Sequence, residues 1–121
     1  MSDPVKVIKP WGEEVHWALT ERYSGKVLRI NSGHRLSLQL HEQKEESILV
    51  VRGHLRLHLA NEVGALVIRD LRPGDSAHIP AGRVHRFEAI TKTELIEVST
   101  PELTDVIRLD DDYGRIGTRD P

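Results

Sequence analysis

A chain of 121 residues is long enough to bury one hydrophobic core and short for two. Its 17 lysines and arginines against 19 aspartates and glutamates give a formal net charge of -2, which leaves no basic excess for nucleic-acid binding. With no cysteine there are no disulfides or thiolate metal sites, and Met1–Lys9 lacks a signal-peptide core, so a cytoplasmic protein without a membrane partner is expected.

Short alternating segments dominate from the N-terminus onward, the period-2 signature of strands. Val15, Trp17 and Leu19 alternate with His16 and Ala18, and Lys26–Ile30 follows a turn at Ser24-Gly25. Past Asn31-Ser32-Gly33, Leu36, Leu38 and Leu40 alternate with Ser37, Gln39 and His41. Ile48–Val51, a turn at Arg52-Gly53, and Leu55, Leu57 and Leu59 alternating with His54, Arg56 and His58 come next. The remaining strand candidates are Ala65–Ile68, Ser76–Ile79, His85–Ala89 and Leu95–Ser99, separated by Pro73-Gly74-Asp75 and Pro80-Ala81-Gly82. No window sustains a helical period for three turns. The expected fold is all-β, a single domain over 1–121, with a double-sheet jelly roll as the means of closing the sheet edges. The polar tail from Asp110 to Pro121 is expected to run over the surface.

One strand points to chemistry. Opposite the leucines of 36–41, the alternate set is Ser37, Gln39 and His41, and in a barrel one set must face inward. Gln39 and His41, roughly 7 Å apart on one strand face, would be buried polar groups in need of partners, which a metal supplies. Glu46 lies beyond a short polar turn, and His85 just after Pro80-Ala81-Gly82. Imidazole, carboxylate and amide oxygen together suit one divalent ion: zinc first, with manganese, iron, nickel or cobalt as alternatives.

The spacing Gly33-x5-Gln39-x-His41-x4-Glu46-x6-Gly53 resembles the first cupin motif, and Gly74-x5-Pro80-x-Gly82-x2-His85 the second. The resemblance implies a double-stranded β-helix whose core covers about 9–115. It narrows at Leu36-Ser-Leu-Gln-Leu-His41, which is similar to the cupin domain of bacterial type II mannose-6-phosphate isomerases. Lys9-Pro-Trp-Gly12, Leu95-Ile-Glu-Val98 and Val106–Arg115 match the same family. Gln39 stands where most metal-binding cupins have a histidine, and the family resemblance implies that it is a substituted ligand. Departures are Glu42 and Gln43 in place of a run of histidines, Ile48 in place of an aromatic, and no nucleotidyltransferase domain within these residues. The resemblance further implies a homodimer.

Glu97 lies inside the apolar run Leu95–Val98, where burial would raise its pKa and make it a candidate general base. Lys9, Arg35 and Arg115 are candidates for gripping a phosphate. His54 and His58 are expected on the outer face, His16 at the surface, and Glu42, Lys44 and Glu45 on a solvated turn. Three functions are compatible with these residues. The first is a metal-dependent aldose–ketose isomerase acting on a sugar phosphate such as mannose 6-phosphate. The second is an iron(II) oxygenase built on two histidines and a carboxylate. The third is a non-catalytic module binding a sugar or nucleotide-sugar.

Overall fold

In the computed structural model, residues 3–118 are described, and among them every regular element is a strand. In chain order these are β1 (Val5–Lys9), β2 (Gly12–Leu19), β3 (Ser24–Ile30), β4 (Leu38–Leu40), β5 (Glu46–Arg52), β6 (Leu55–Ala60), β7 (Leu66–Leu71), β8 (Ser76–Ile79), β9 (His85–Ala89), β10 (Thr93–Ser99) and β11 (Ile107–Asp110). With no helix among the described residues, none is long and apolar enough to cross a membrane.

The strands form two antiparallel sheets, of order β1-β2-β3-β10-β5-β8 and β11-β4-β9-β6-β7. Alternate residues of each sheet turn inward, so Leu28, Ile30, Ile48, Val50 and Leu95 of one meet Leu55, Leu57, Phe87 and Ala89 of the other. Fully buried side chains of this size contribute about 1.5–3 kcal/mol each, which closes the barrel at that end without a disulfide. Trp11, 1% exposed in the turn between β1 and β2, plugs the same core.

Several local expectations are corrected. Ser24-Gly25 is not a turn: both residues are buried in β3, and the Trp17 ring lies on Gly25, where an added Cβ would sit 2.5 Å from the ring. A register shift between His16 and Ala18 accompanies this contact. Trp17 and Leu19 are left 44% and 39% exposed, while Glu14 faces in. Of the 36–41 segment only Leu38–Leu40 is regular strand. Residues 107–110 form the edge strand β11, and 111–118 do not simply follow the surface, because Tyr113 packs on the core and Arg115 lines the cavity; the rest of the expected tail, 119–121, lies outside the described residues.

Candidate metal centre

The end of the barrel not filled by aliphatic side chains is polar. His41, Glu46 and His85 are buried at 6%, 3% and 1% exposure, and one ligand atom from each lies within 4.8 Å of the others. Three separate elements bring them there. His41 follows β4, Glu46 opens β5, and His85 opens β9. Gly82, at φ 80°, closes the turn before His85, and its N–H donates to the His41 carbonyl at 2.6 Å, which ties the two histidine segments together.

Both imidazoles are oriented from behind. His41 Nδ1 donates to the Asp105 carbonyl at 2.5 Å, and His85 Nδ1 donates to the Arg83 carbonyl at 2.9 Å. Each Nε2 thus presents its lone pair to the centre, as a metal-binding histidine does. His85 Nε2 and Glu46 Oε2 are buried without a hydrogen-bond partner among the described residues. Glu46 Oε2 does lie 3.2 Å from the Lys44 ammonium, an ion-pair distance without hydrogen-bond alignment. Orphaned buried acceptors are costly, and a cation between them removes the cost.

Gln39 stands directly across from His85 in the β4–β9 pair, and its Nε2 donates to His41 Nε2 at 3.3 Å while Oε1 accepts from Ser37 Oγ at 2.6 Å. Turning the amide by half a rotation brings Oε1 to the centre and leaves Nε2 to donate to Ser37, so the residue suits a cation equally well. The four-residue set expected from the sequence therefore converges, and nitrogen and oxygen donors of this kind fit a divalent ion.

The electrostatics match. Burial presses His85 down to about 4, and burial followed by the Lys44 charge lowers His41, so both rings are neutral at pH 7. Burial, then the Glu97 charge, raises Glu46. Glu97 behaves otherwise than expected. It is buried and inward-facing, but Lys44 and Lys26 together outweigh burial and hold its pKa below the usual value. The carboxylate lifted by burial is Glu46.

A cavity of about 40 Å3 opens beside the centre, lined by Gln39, His41 and Glu46, by Glu14 and Glu97, and by five cations: Lys9, Lys26, Lys44, Arg108 and Arg115. Lys9 and Arg115 were expected near a phosphate; Arg35 was as well, but it pairs with Asp112 away from the cavity. Lys44, placed on a solvated turn by its neighbours in sequence, is buried between Glu46 and Glu97 at 3.2 and 3.3 Å. Glu42 and Glu45 are the exposed members of that run, Glu45 paired with His78. His54 and His58 sit on the outer face with Asp70 and Glu88, as expected.

Sequence reasoning missed Lys26, Glu14, Arg108 and Asp105. Lys26 shares parity with buried Leu28 and Ile30, a signal that its inward direction was readable. Arg108 faces Gln39 across the β4–β11 pair. Asp105 had no such signal: its carboxylate accepts from the N–H groups of Glu42, Gln43 and Lys44 at 3.1, 2.7 and 2.9 Å, and so holds the whole loop between His41 and Glu46.

Two packed antiparallel sheets with a His-Glu-His cluster at one end define a cupin. The fold matches solved cupins: Bacillus subtilis oxalate decarboxylase at TM-score 0.80 and 20% identity, covering 89% of this chain and 30% of that one. KdgF from Halomonas sp. matches at TM-score 0.70 and 22% identity, over 83% of this chain and 88% of that one. Within the cupins, the chain belongs to the mannose-6-phosphate isomerase C-terminal family, whose model matches residues 2–111. Relatives include the mannose-1-phosphate guanylyltransferase ManC of Salmonella typhimurium, 35% identical over 92% of this chain and 23% of that protein. The xanthan biosynthesis protein XanB of Xanthomonas campestris is 33% identical over 91% and 24%, and the alginate biosynthesis protein AlgA of Pseudomonas aeruginosa 31% identical over 91% and 23%. The chain thus spans about a quarter of the length of these relatives.

Proposed function

We propose that this domain is a metal-dependent aldose–ketose isomerase acting on a phosphorylated hexose, most simply interconverting mannose 6-phosphate and fructose 6-phosphate. The observation that carries the reading is one cavity whose wall joins His41 and Glu46, two members of the buried His41–Glu46–His85 cluster, with Lys9 and Arg115. Family membership supports the same substrate class.

Gln39, His41, Glu46 and His85 would hold one divalent ion, zinc by preference, which supplies Lewis acidity toward the oxygens at C1 and C2. Glu97, kept ionised by Lys44 and Lys26, takes the C2 proton of the open-chain aldose as the C1 oxygen gains one. The resulting enediol loses the C2 hydroxyl proton and regains at C1 the proton held by Glu97, giving the ketose. Lys9 and Arg115 grip the phosphate by charge-assisted hydrogen bonds, so that the sugar's reacting carbons are presented to Glu97. The cysteine-free composition suits a reducing cytoplasm, and an apolar outer sheet face suits a homodimer.

Turnover of mannose 6-phosphate in deuterated water, read by NMR, is expected to place label at C1 or C2 of the sugar. Absence of exchange with every sugar phosphate tried overturns the proposal. Tight binding without exchange would identify a ligand-binding module instead, and oxygen uptake by the iron-loaded protein an oxygenase.

A further inference from the structure

We propose that Asp111 is a positioning residue, whose buried carboxylate fixes the Arg115 guanidinium on the cavity wall in the orientation that receives a phosphoryl group. The inference rests on the sugar-phosphate reading of the cavity. It starts from three bonds to one carboxylate: Arg115 N and Nε donate to Asp111 Oδ2 at 2.7 and 2.9 Å, and Arg115 Nη2 donates to Oδ1 at 2.9 Å. The Asp111 side chain is 0% exposed and Arg115 19%. The guanidinium also lies 5.5 Å above the centre of the Tyr113 ring. Clamped along one edge and supported on one face, it keeps its remaining N–H donors on the opposite edge, and Arg115 is part of the cavity lining.

The bland alternative is that Asp111 merely closes the loop 111–118. That loop is already anchored without it. Asp112 takes a two-point bond from Arg35 at 2.7 and 2.9 Å, His34 Nδ1 and the Tyr113 hydroxyl are 2.8 Å apart, and Arg86 reaches Asp110 at 3.1 Å. The Asp111 carboxylate is spent on Arg115 alone. What it faces is a concentration of positive charge, since Lys9 is lowered by burial and by Lys26, Arg115 and Arg108 while Glu14 opposes them. The Lys9 ammonium makes no hydrogen bond or ion pair among the described residues. A phosphate dianion relieves this repulsion, and a guanidinium fixed in advance binds it without the entropy cost of ordering a long side chain.

The test measures orthophosphate binding to the full chain by calorimetry, together with KM and kcat for the phosphorylated hexose. Asp111→Asn is expected to weaken phosphate binding and raise KM about tenfold, the value of roughly one charge-assisted hydrogen bond, with kcat within about twofold. Asp112→Asn, which loosens the loop and leaves the clamp, is expected to bind phosphate as the parent does. Parent-like binding by Asp111→Asn, or equal weakening by Asp112→Asn, overturns the inference. If Asp111→Asn does not fold, Arg115→Lys is read in its place: it keeps the charge but loses the clamped fork, and unchanged phosphate binding overturns the inference. Arg115→Ala separates the two levels. If it binds phosphate like the parent, the phosphate-grip reading itself fails; if it loses binding while Asp111→Asn does not, only the positioning role fails.

Discussion

Glu14 and His85 tie stability to pH in two successive windows. His85 is held neutral by burial, with its pKa lowered to about 4, whereas in the unfolded chain it protonates near its ordinary 6.5. The unfolded state therefore binds the extra proton first, and stability is lost as pH falls from 6.5 toward 4. Glu14 is lowered to about 2 because the hydrogen bond with His16 and the charges of Lys26 and Lys9 outweigh burial. Its contribution is present above 4.5, is lost as pH falls toward 2, and amounts to about 3 kcal/mol. Melting temperature against pH in chelator is expected to flatten below 4.5 in Glu14→Gln and between 6.5 and 4 in His85→Gln. An unchanged slope in either window refutes the assignment for that residue. If the His41–Glu46–His85 cluster takes up an ion, the ion must displace from Glu46 a proton whose affinity burial has raised, so metal affinity is expected to climb with pH, with proton release visible by calorimetry in buffers of different ionisation enthalpy.

At the scale of the element, the loop between β4 and β5 is what places His41 and Glu46 of the candidate metal centre relative to each other. Asp105 takes its three successive N–H groups and, through its own carbonyl, orients His41. Asp105→Ala leaves those donors unpaired and is expected to weaken metal binding about 10–100-fold, the usual loss on removing an outer support of a ligand. Competition with a chromophoric chelator would measure it, and full affinity in the variant would show that the loop holds itself. The strands around this loop were legible because apolar alternation survives wherever one face meets the core. β1 and β11 were not. They are sheet-edge strands, and with only intermittent burial they lack a clean apolar stripe.

For the whole molecule, Trp11 is the plug of the core, and Trp11→Ala is expected to cost about 3–5 kcal/mol, read from denaturant unfolding. The outer face of the six-stranded sheet is unusually apolar: Val15 stands beside Val27, Val27 beside Ile96, and Ile96 beside Leu49, with Trp17 and Val98 in the next row. If a homodimer forms through this face, Leu49→Lys with Val98→Lys is expected to halve the mass seen in sedimentation; a dimer that survives both substitutions is built elsewhere.

The sequence by itself determined the strands with one buried face, the inward turn of Gln39 and His41, and the choice of Glu46 over Glu45, because period, parity and motif spacing are local properties of a chain. The tertiary structure decided the charges. Lys44 and Lys26 belong to the barrel interior only because carboxylates on neighbouring strands meet them there, Glu97 is acidic for the same reason, and Arg35 went to Asp112 while Arg115 reached the cavity. A charged side chain carries no hydrophobic signal, so its direction follows from its partners, and those come from strands distant in sequence.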